Sequence, residues 1–177
     1  MSEMILIEPT MEYEEGIWRF RQEILDAGDK DSFAGCGTLR TCRSAKEWID
    51  TVNMAKSAET CPEDKVPAHL YLAIRKKDHK IVGMIDLRHH IDHPILSAWG
   101  GHMGYSVRPD ERGKGYAKEM LRQNLQNCRN LGIEKVMVTC DEDNAASERT
   151  ILACGGVFEK NVEVDGSIIK RYWITIP

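Results

Sequence analysis

The chain has 177 residues, 42% of them apolar, and a formal net charge of −4. That length suits one well-buried domain spanning residues 1–177 and is short for two. The acidic balance speaks against nucleic-acid or anionic-membrane binding, which needs a net basic face. No apolar run approaches the roughly 20 residues needed to cross a bilayer, and MSEMILIEPTMEYEEG carries no basic leader, so a soluble, cytoplasmic protein is expected. Six cysteines (Cys36, Cys42, Cys61, Cys128, Cys140, Cys154) form no CxxC pair, and without an export signal they read as reduced thiols.

In chain order, MILIEPT alternates like a short strand. EYEEGIWRFRQEILDAG follows with Ile17, Phe20, Ile24 and Leu25 on one helical face and a terminal glycine. Residues 29–66 are the least readable stretch. Within them Ser44 is placed to cap a helix running to about Lys56, and the stretch is set aside as an acceptor-side insertion. HLYLAIRK and KIVGMIDLRH are β-rich runs joined at Lys77, Asp78 and His79, a hairpin pattern, and GGHMGYSV is a further strand. Ala117, Met120, Leu121, Leu125, Cys128 and Leu131 make a helical stripe stopping at Gly132; KVMVTC is a buried strand, and NAASERTILACGG a short helix. VFEKNVEV and SIIKRYWITI flank Asp165-Gly166, a strong hairpin signal. The order β-α-(α)-β-β-β-α-β-α-β-β predicts an α+β (mixed α/β) fold: a mostly antiparallel sheet with one central βαβ unit and flanking helices.

That unit carries the sharpest motif, RPDERGKGYAKEML. Gly113 and Gly115 lack Cβ and let backbone N–H groups turn toward a bulky anion. The free N–H groups and macrodipole of the following helix point the same way. Arg108, Arg112, Lys114, Lys118 and Arg122 surround the spot. A polyphosphate ligand fits, and a plain strand-to-helix turn with a solvated basic face also does. RGKGYAKE does not supply GxxxxGK[ST]. A dinucleotide fingerprint is weakened by Lys118 at the third glycine position and by the surrounding hairpins.

GYSVRPDERGKGYAKEML, GIEKVMVTCDEDNAAS and ACGGVF together resemble the GNAT superfamily of acyl-CoA-dependent N-acetyltransferases. Arg112, Gly115 and Ala117 match that family's R-x-x-G-x-A pyrophosphate loop, and Asn144 with Ser147 matches its N-x-x-S motif. The resemblance implies a GNAT-like fold, acetyl-CoA as co-substrate and direct acetyl transfer to an amine, either a small-molecule amine or a protein or peptide amine. It implies that the backbone from Arg112 through Gly113, Lys114, Gly115 and Tyr116 to Ala117 holds the pyrophosphate. Val107 and its neighbours would bond the pantetheine like an added strand and offer an oxyanion donor, while Asn144 and Ser147 would meet the same arm. Asn144 also fits a simple helix N-cap. No nucleic acid, membrane or metal is expected as a partner, and a homodimer is left open.

The family's usual tyrosine acid is missing: the position seven residues beyond Asn144 is Ile151. A thiol of pKa about 8.5 leaves tolerably as thiolate; Tyr105 and Tyr116 are substitute acids. Candidate bases are His89, His90, His102, Asp141 and Glu142. RHHIDH looks like a metal cluster but offers too few ligands for zinc. Cys140 suggests a covalent route, although a buried strand cysteine is ordinarily a small hydrophobe. A non-catalytic acyl-CoA-binding or sensing module and an NAD-dependent oxidoreductase stay as alternatives.

Overall fold

A computed structural model describes residues 2–28 and 33–177; residues 29–32, the start of the unreadable stretch, lie outside the described residues. Strand β1 (Met4–Ile7) leads to α1 (Glu14–Ala27), α2 (Ala45–Ala55), β2 (Ala68–Arg75), β3 (Ile81–Arg88) and β4 (Tyr105–Val107). Then come α3 (Tyr116–Asn130), β5 (Lys135–Asp141), α4 (Ala145–Ala153), β6 (Val157–Val164) and β7 (Ser167–Thr175). The expected element order and the mixed α+β class are what the structure shows. No helix among the described residues is long and apolar enough to cross a membrane.

The strands form two sheets, ordered β1-β2-β3-β4 and β5-β7-β6, with every paired neighbour antiparallel. Alternation along the first sheet, interrupted by a register irregularity at Val82, separates two cores. Val82, Ile85 and Leu87 turn toward α3 and the second sheet, where Met120, Leu121, Val136 and Val138 join them. Leu72, Ile74 and Met84 turn toward Ile17, Phe20, Ile24 and Trp48 of α1 and α2. Helix α2 starts where Ser44 accepts the Glu47 N–H at 3.1 Å, and α1 stops at left-handed Gly28 (φ 67°). Trp48 is fully buried and donates its indole N–H to the Cys36 carbonyl at 2.8 Å, so α2 pins the turns that precede it.

The strand expected over GGHMGYSV narrows to Tyr105–Val107, preceded by a π-helical turn at Leu96–Gly100. Two competing bonds explain the shortening. The Gly104 N–H donates to the Asp86 carboxylate at 2.7 Å instead of to a strand carbonyl, and the Asp86 carbonyl accepts from Asn124 Nδ2 at 3.0 Å. His102 pairs outward: its N–H donates to the Met137 carbonyl and its Nδ1 accepts the Met137 N–H, both at 2.9 Å. Together with the Thr139 hydroxyl bonded to the Trp99 carbonyl at 2.8 Å, this is where the two sheets meet.

Candidate active site

Beyond that seam β4 and β5 are not bonded to one another, and a cleft of about 1070 Å³ opens between them. Tyr105 and Val107 form one wall, Asp141 to Asn144 with α4 the other, and the loop Arg112–Ala117 closes one side. The Arg108 N–H bonds Val82, and the Asp86 and Arg88 N–H groups bond Gly104 and His102. By strand alternation, therefore, the main-chain groups of Tyr105 and Val107 face away from β3 into the cleft.

The loop is shaped by its glycines. Gly113 and Gly115 adopt φ of 75° and 85°, and a Cβ on either would meet nothing within 4 Å, so the backbone here lies open. Gly115 caps α3 with no side-chain bond, which leaves the first-turn N–H groups available to an anion. Across the cleft the Asn144 side chain accepts the Ser147 N–H at 3.1 Å, the N-cap geometry. Ser147 Oγ in turn lies 2.7 Å from the Tyr105 hydroxyl, so α4 and β4 touch at the inner end. Burial pushes the Tyr105 phenol well above the usual tyrosine value, against the opposing hydrogen bond from Ser147.

Beneath the loop Glu111, 3% exposed, gathers three cations: Arg75 Nη1, Lys80 Nζ and Lys114 Nζ each lie 2.9 Å from its carboxylate. Burial raises its pKa, but those cations outweigh burial and hold it at about 2.

This arrangement fits the comparisons. The family model described as "Acetyltransferase (GNAT) domain" matches residues 16–157. The chain belongs to the GNAT acetyltransferase family. Similar folds include the microcin C7 self-immunity acetyltransferase MccE in complex with acetyl-CoA and AMP, with TM-score 0.71 and 19% identity over 99% of this chain and 94% of that one. A ribosomal-protein-S5-alanine acetyltransferase from Vibrio fischeri gives TM-score 0.71 at 15% identity, covering 99% of this chain and 94% of that one. A spermidine N-acetyltransferase SpeG chimera from Vibrio cholerae and hSSAT gives 0.65 at 15%, covering 98% and 96%. No curated protein matches the chain.

Within this GNAT domain the structure sorts the expected residues. Val107, Arg112, Gly113, Gly115, Tyr116, Ala117, Asn144, Ser147, Tyr105 and Asp141 all line the cleft. Lys114 instead turns to Glu111, Arg122 to Glu119 at 2.7 Å, and buried Arg108 to Glu23 at 2.6 Å and the Ile81 carbonyl. His102 lies in the sheet seam, with burial, then Arg88, lowering its pKa to about 4 and its Nδ1 lone pair already taken by Met137. His90 sits outside the cleft beside Asp92, 3.7 Å away, because the RHHIDH segment follows β3 at the far end of the sheet. His89 stacks on His69, with ring nitrogens 2.7 Å apart. Tyr116 accepts from Arg75 at 3.3 Å. Ile151 is fully buried in the α3-side core and offers no proton. The sequence reading missed Glu111, Asp86 and Asn124; the run of acids in PDE and a polar residue in an apolar helical stripe were the available signals.

Proposed function

We propose that the protein transfers an acetyl group from acetyl-CoA to an amine by direct attack. The observation that carries this reading is the glycine loop with free helix N–H groups facing, across one cleft, a strand edge whose Tyr105 and Val107 backbone is unpaired by β3. A diphosphate fits the first and an amide-bearing pantetheine arm the second. The acetyl-CoA present in the MccE structure supports the same choice of co-substrate.

The chemistry follows from the residues. A neutral amine attacks the thioester carbonyl, the oxyanion is held by a free N–H of β4, and the carbon–sulfur bond breaks. Tyr105 donates its proton to the departing thiolate and regains one from solvent past Ser147. Asp141 takes the proton of the acceptor ammonium, directly or through water. A cysteine intermediate is disfavoured, since burial pushes the Cys140 thiol up to about 11.

An amine screen with thiol release as readout tests the reading. Tyr105→Phe is expected to lower kcat by about 10²- to 10⁴-fold while acetyl-CoA still binds. Because the phenol pKa is raised, the wild-type rate should climb with amine deprotonation and show no falling limb by about pH 10. An unchanged kcat in Tyr105→Phe would mean that the thiolate leaves unassisted. Tight acetyl-CoA binding with no transfer to any amine would favour the sensing module.

A further inference from the structure

Gly104 stands just before Tyr105, and a Cβ on it would come within 2.9 Å of the Gly35 nitrogen, so the turn that lies on β4 requires a glycine here. Glycine is also the residue least able to hold its own backbone angles. The peptide that joins Gly104 to the cleft-facing Tyr105 must therefore be fixed from outside.

Asp86 grips it with two groups. Its main-chain N–H donates to the Gly104 carbonyl at 3.1 Å, and its carboxylate accepts the Gly104 N–H at 2.7 Å. In a regular antiparallel ladder the two residues would exchange both bonds through the main chain. Here Asn124 Nδ2 takes the Asp86 carbonyl at 3.0 Å, and the carboxylate stands in for it. Arg88 Nη2 lies 3.3 Å from that carboxylate, while Arg88 Nη1 donates to the Gly100 and Gly101 carbonyls at 3.2 and 3.1 Å. Peptide geometry does the rest. In a planar trans peptide the N–H points opposite to the C=O, so a Gly104 carbonyl aimed at β3 aims the Tyr105 N–H away from β3 and into the cleft. Asp86 and Asn124 are 9% and 0% exposed, and burying them carries a desolvation cost that a plain ladder with apolar side chains avoids. No such device attends Val107, the other cleft-facing residue, which is flanked by ordinary β3 pairing at Ser106 and Arg108.

We propose that Asp86, held by Arg88, is a positioning residue for acetyl transfer: through the Gly104 peptide it fixes the Tyr105 N–H as the donor that receives the thioester oxyanion. This rests on the acetyl-transfer reading above.

Steady-state CoA release and calorimetric CoA binding test it. A donor misplaced by about an ångström costs up to about 10²-fold, so Asp86→Ala is expected to lower kcat about 10- to 100-fold. KM for acetyl-CoA and CoA affinity should stay within about two-fold of wild type, because the glycine loop is untouched. Asp86→Asn keeps an oxygen for the Gly104 N–H and should recover kcat to within about five-fold of wild type. In a Tyr105→Phe background, which keeps the main-chain N–H, Asp86→Ala should cost the same multiple again. A wild-type kcat in Asp86→Ala, a matching rise in KM, no rescue by Asp86→Asn, or disappearance of the effect in the Tyr105→Phe background each overturns the positioning role and leaves the acetyl-transfer reading intact. Thermal unfolding checks that the variants are folded. Should Asp86→Ala not fold, Arg88→Gln, at a partly exposed site, loosens the same carboxylate, and an unchanged kcat there overturns the role. A wild type that transfers acetyl to no amine rejects both the role and the reading.

Discussion

A single carboxylate beneath a glycine loop can matter more than the cations that a sequence displays. Glu111 meets three cations, from β2, the turn before β3 and the loop itself, with Asp78 and Asp110 as further partners of Arg75 and Lys80. Removing that charge takes away the carboxylate that holds Lys114 and leaves the three cations balanced only by Asp78, on Arg75, and Asp110, on Lys80. Glu111→Gln is therefore expected to raise KM for acetyl-CoA about ten-fold with a smaller change in kcat. KM for S-acetylpantetheine, which has no diphosphate, should stay within two-fold. Equal losses for the two substrates would show a general structural defect instead. Little of this was legible from sequence. RGKGYAKE announces its basic side chains, but pairing depends on the β2–β3 turn bringing Asp78 and Lys80 beside the loop, a contact 31 residues away in the chain for Lys80 and Glu111. The Asn144 cap was legible because its partner, the Ser147 N–H, is local, whereas the Ser147 hydroxyl meets Tyr105, 42 residues away.

At the scale of elements, the strongly periodic helices and hairpins were readable, and β4 with its cover was not. Its shortening depends on Asp86 and Asn124 substituting for strand bonds, which no alternation pattern encodes. The cover is the turn around Ala34 to Cys36, held by Ser106 Oγ donating to the Ala34 carbonyl at 2.6 Å. Gly35 has φ 73°, and a Cβ there would collide with the Gly104 carbonyl and come within 2.9 Å of the Tyr105 nitrogen. The glycine is thus required for the turn to lie on the strand that carries Tyr105. Gly35→Ala should destabilise the fold by about 2 kcal/mol or more and depress activity. Gly132→Ala is the matched control, with φ 75° and nothing within 4 Å, and should cost only about 1 kcal/mol. Urea unfolding of the two variants checks the difference, and equal costs would remove the packing argument.

For the whole molecule, the consequential contact is the seam that joins the two sheets at one end and lets them part at the other. The sequence showed the strands on either side of it, but a histidine that serves as a strand-pairing partner looks, in one dimension, like a cleft base. In the folded protein His102 is 6% exposed and must stay neutral, since protonating Nδ1 would break its bond from the Met137 N–H. Its pKa falls from 6.5 to about 4. The unfolded chain therefore binds this proton at a higher pH than the folded one. The stabilisation from neutral His102 is complete above pH 6.5 and is lost as pH falls through 6.5 toward 4, a change of roughly 3 kcal/mol. Burial lowers His69 and His89 as well, so they add to the slope in the same direction. Glu111 acts in a separate window, since its pKa of about 2 makes its contribution disappear only at pH values below the ordinary 4.5. Urea denaturation from pH 8 to 4.5 should accordingly show stability falling most steeply below pH 6.5. His102→Gln should be less stable than wild type at pH 8, where the seam bond is lost, yet flatter toward acid, where the wild type gives up its advantage. Parallel pH profiles for the two proteins would mean that His102 titrates alike in the folded and unfolded chains, and the seam would then owe nothing to its charge state.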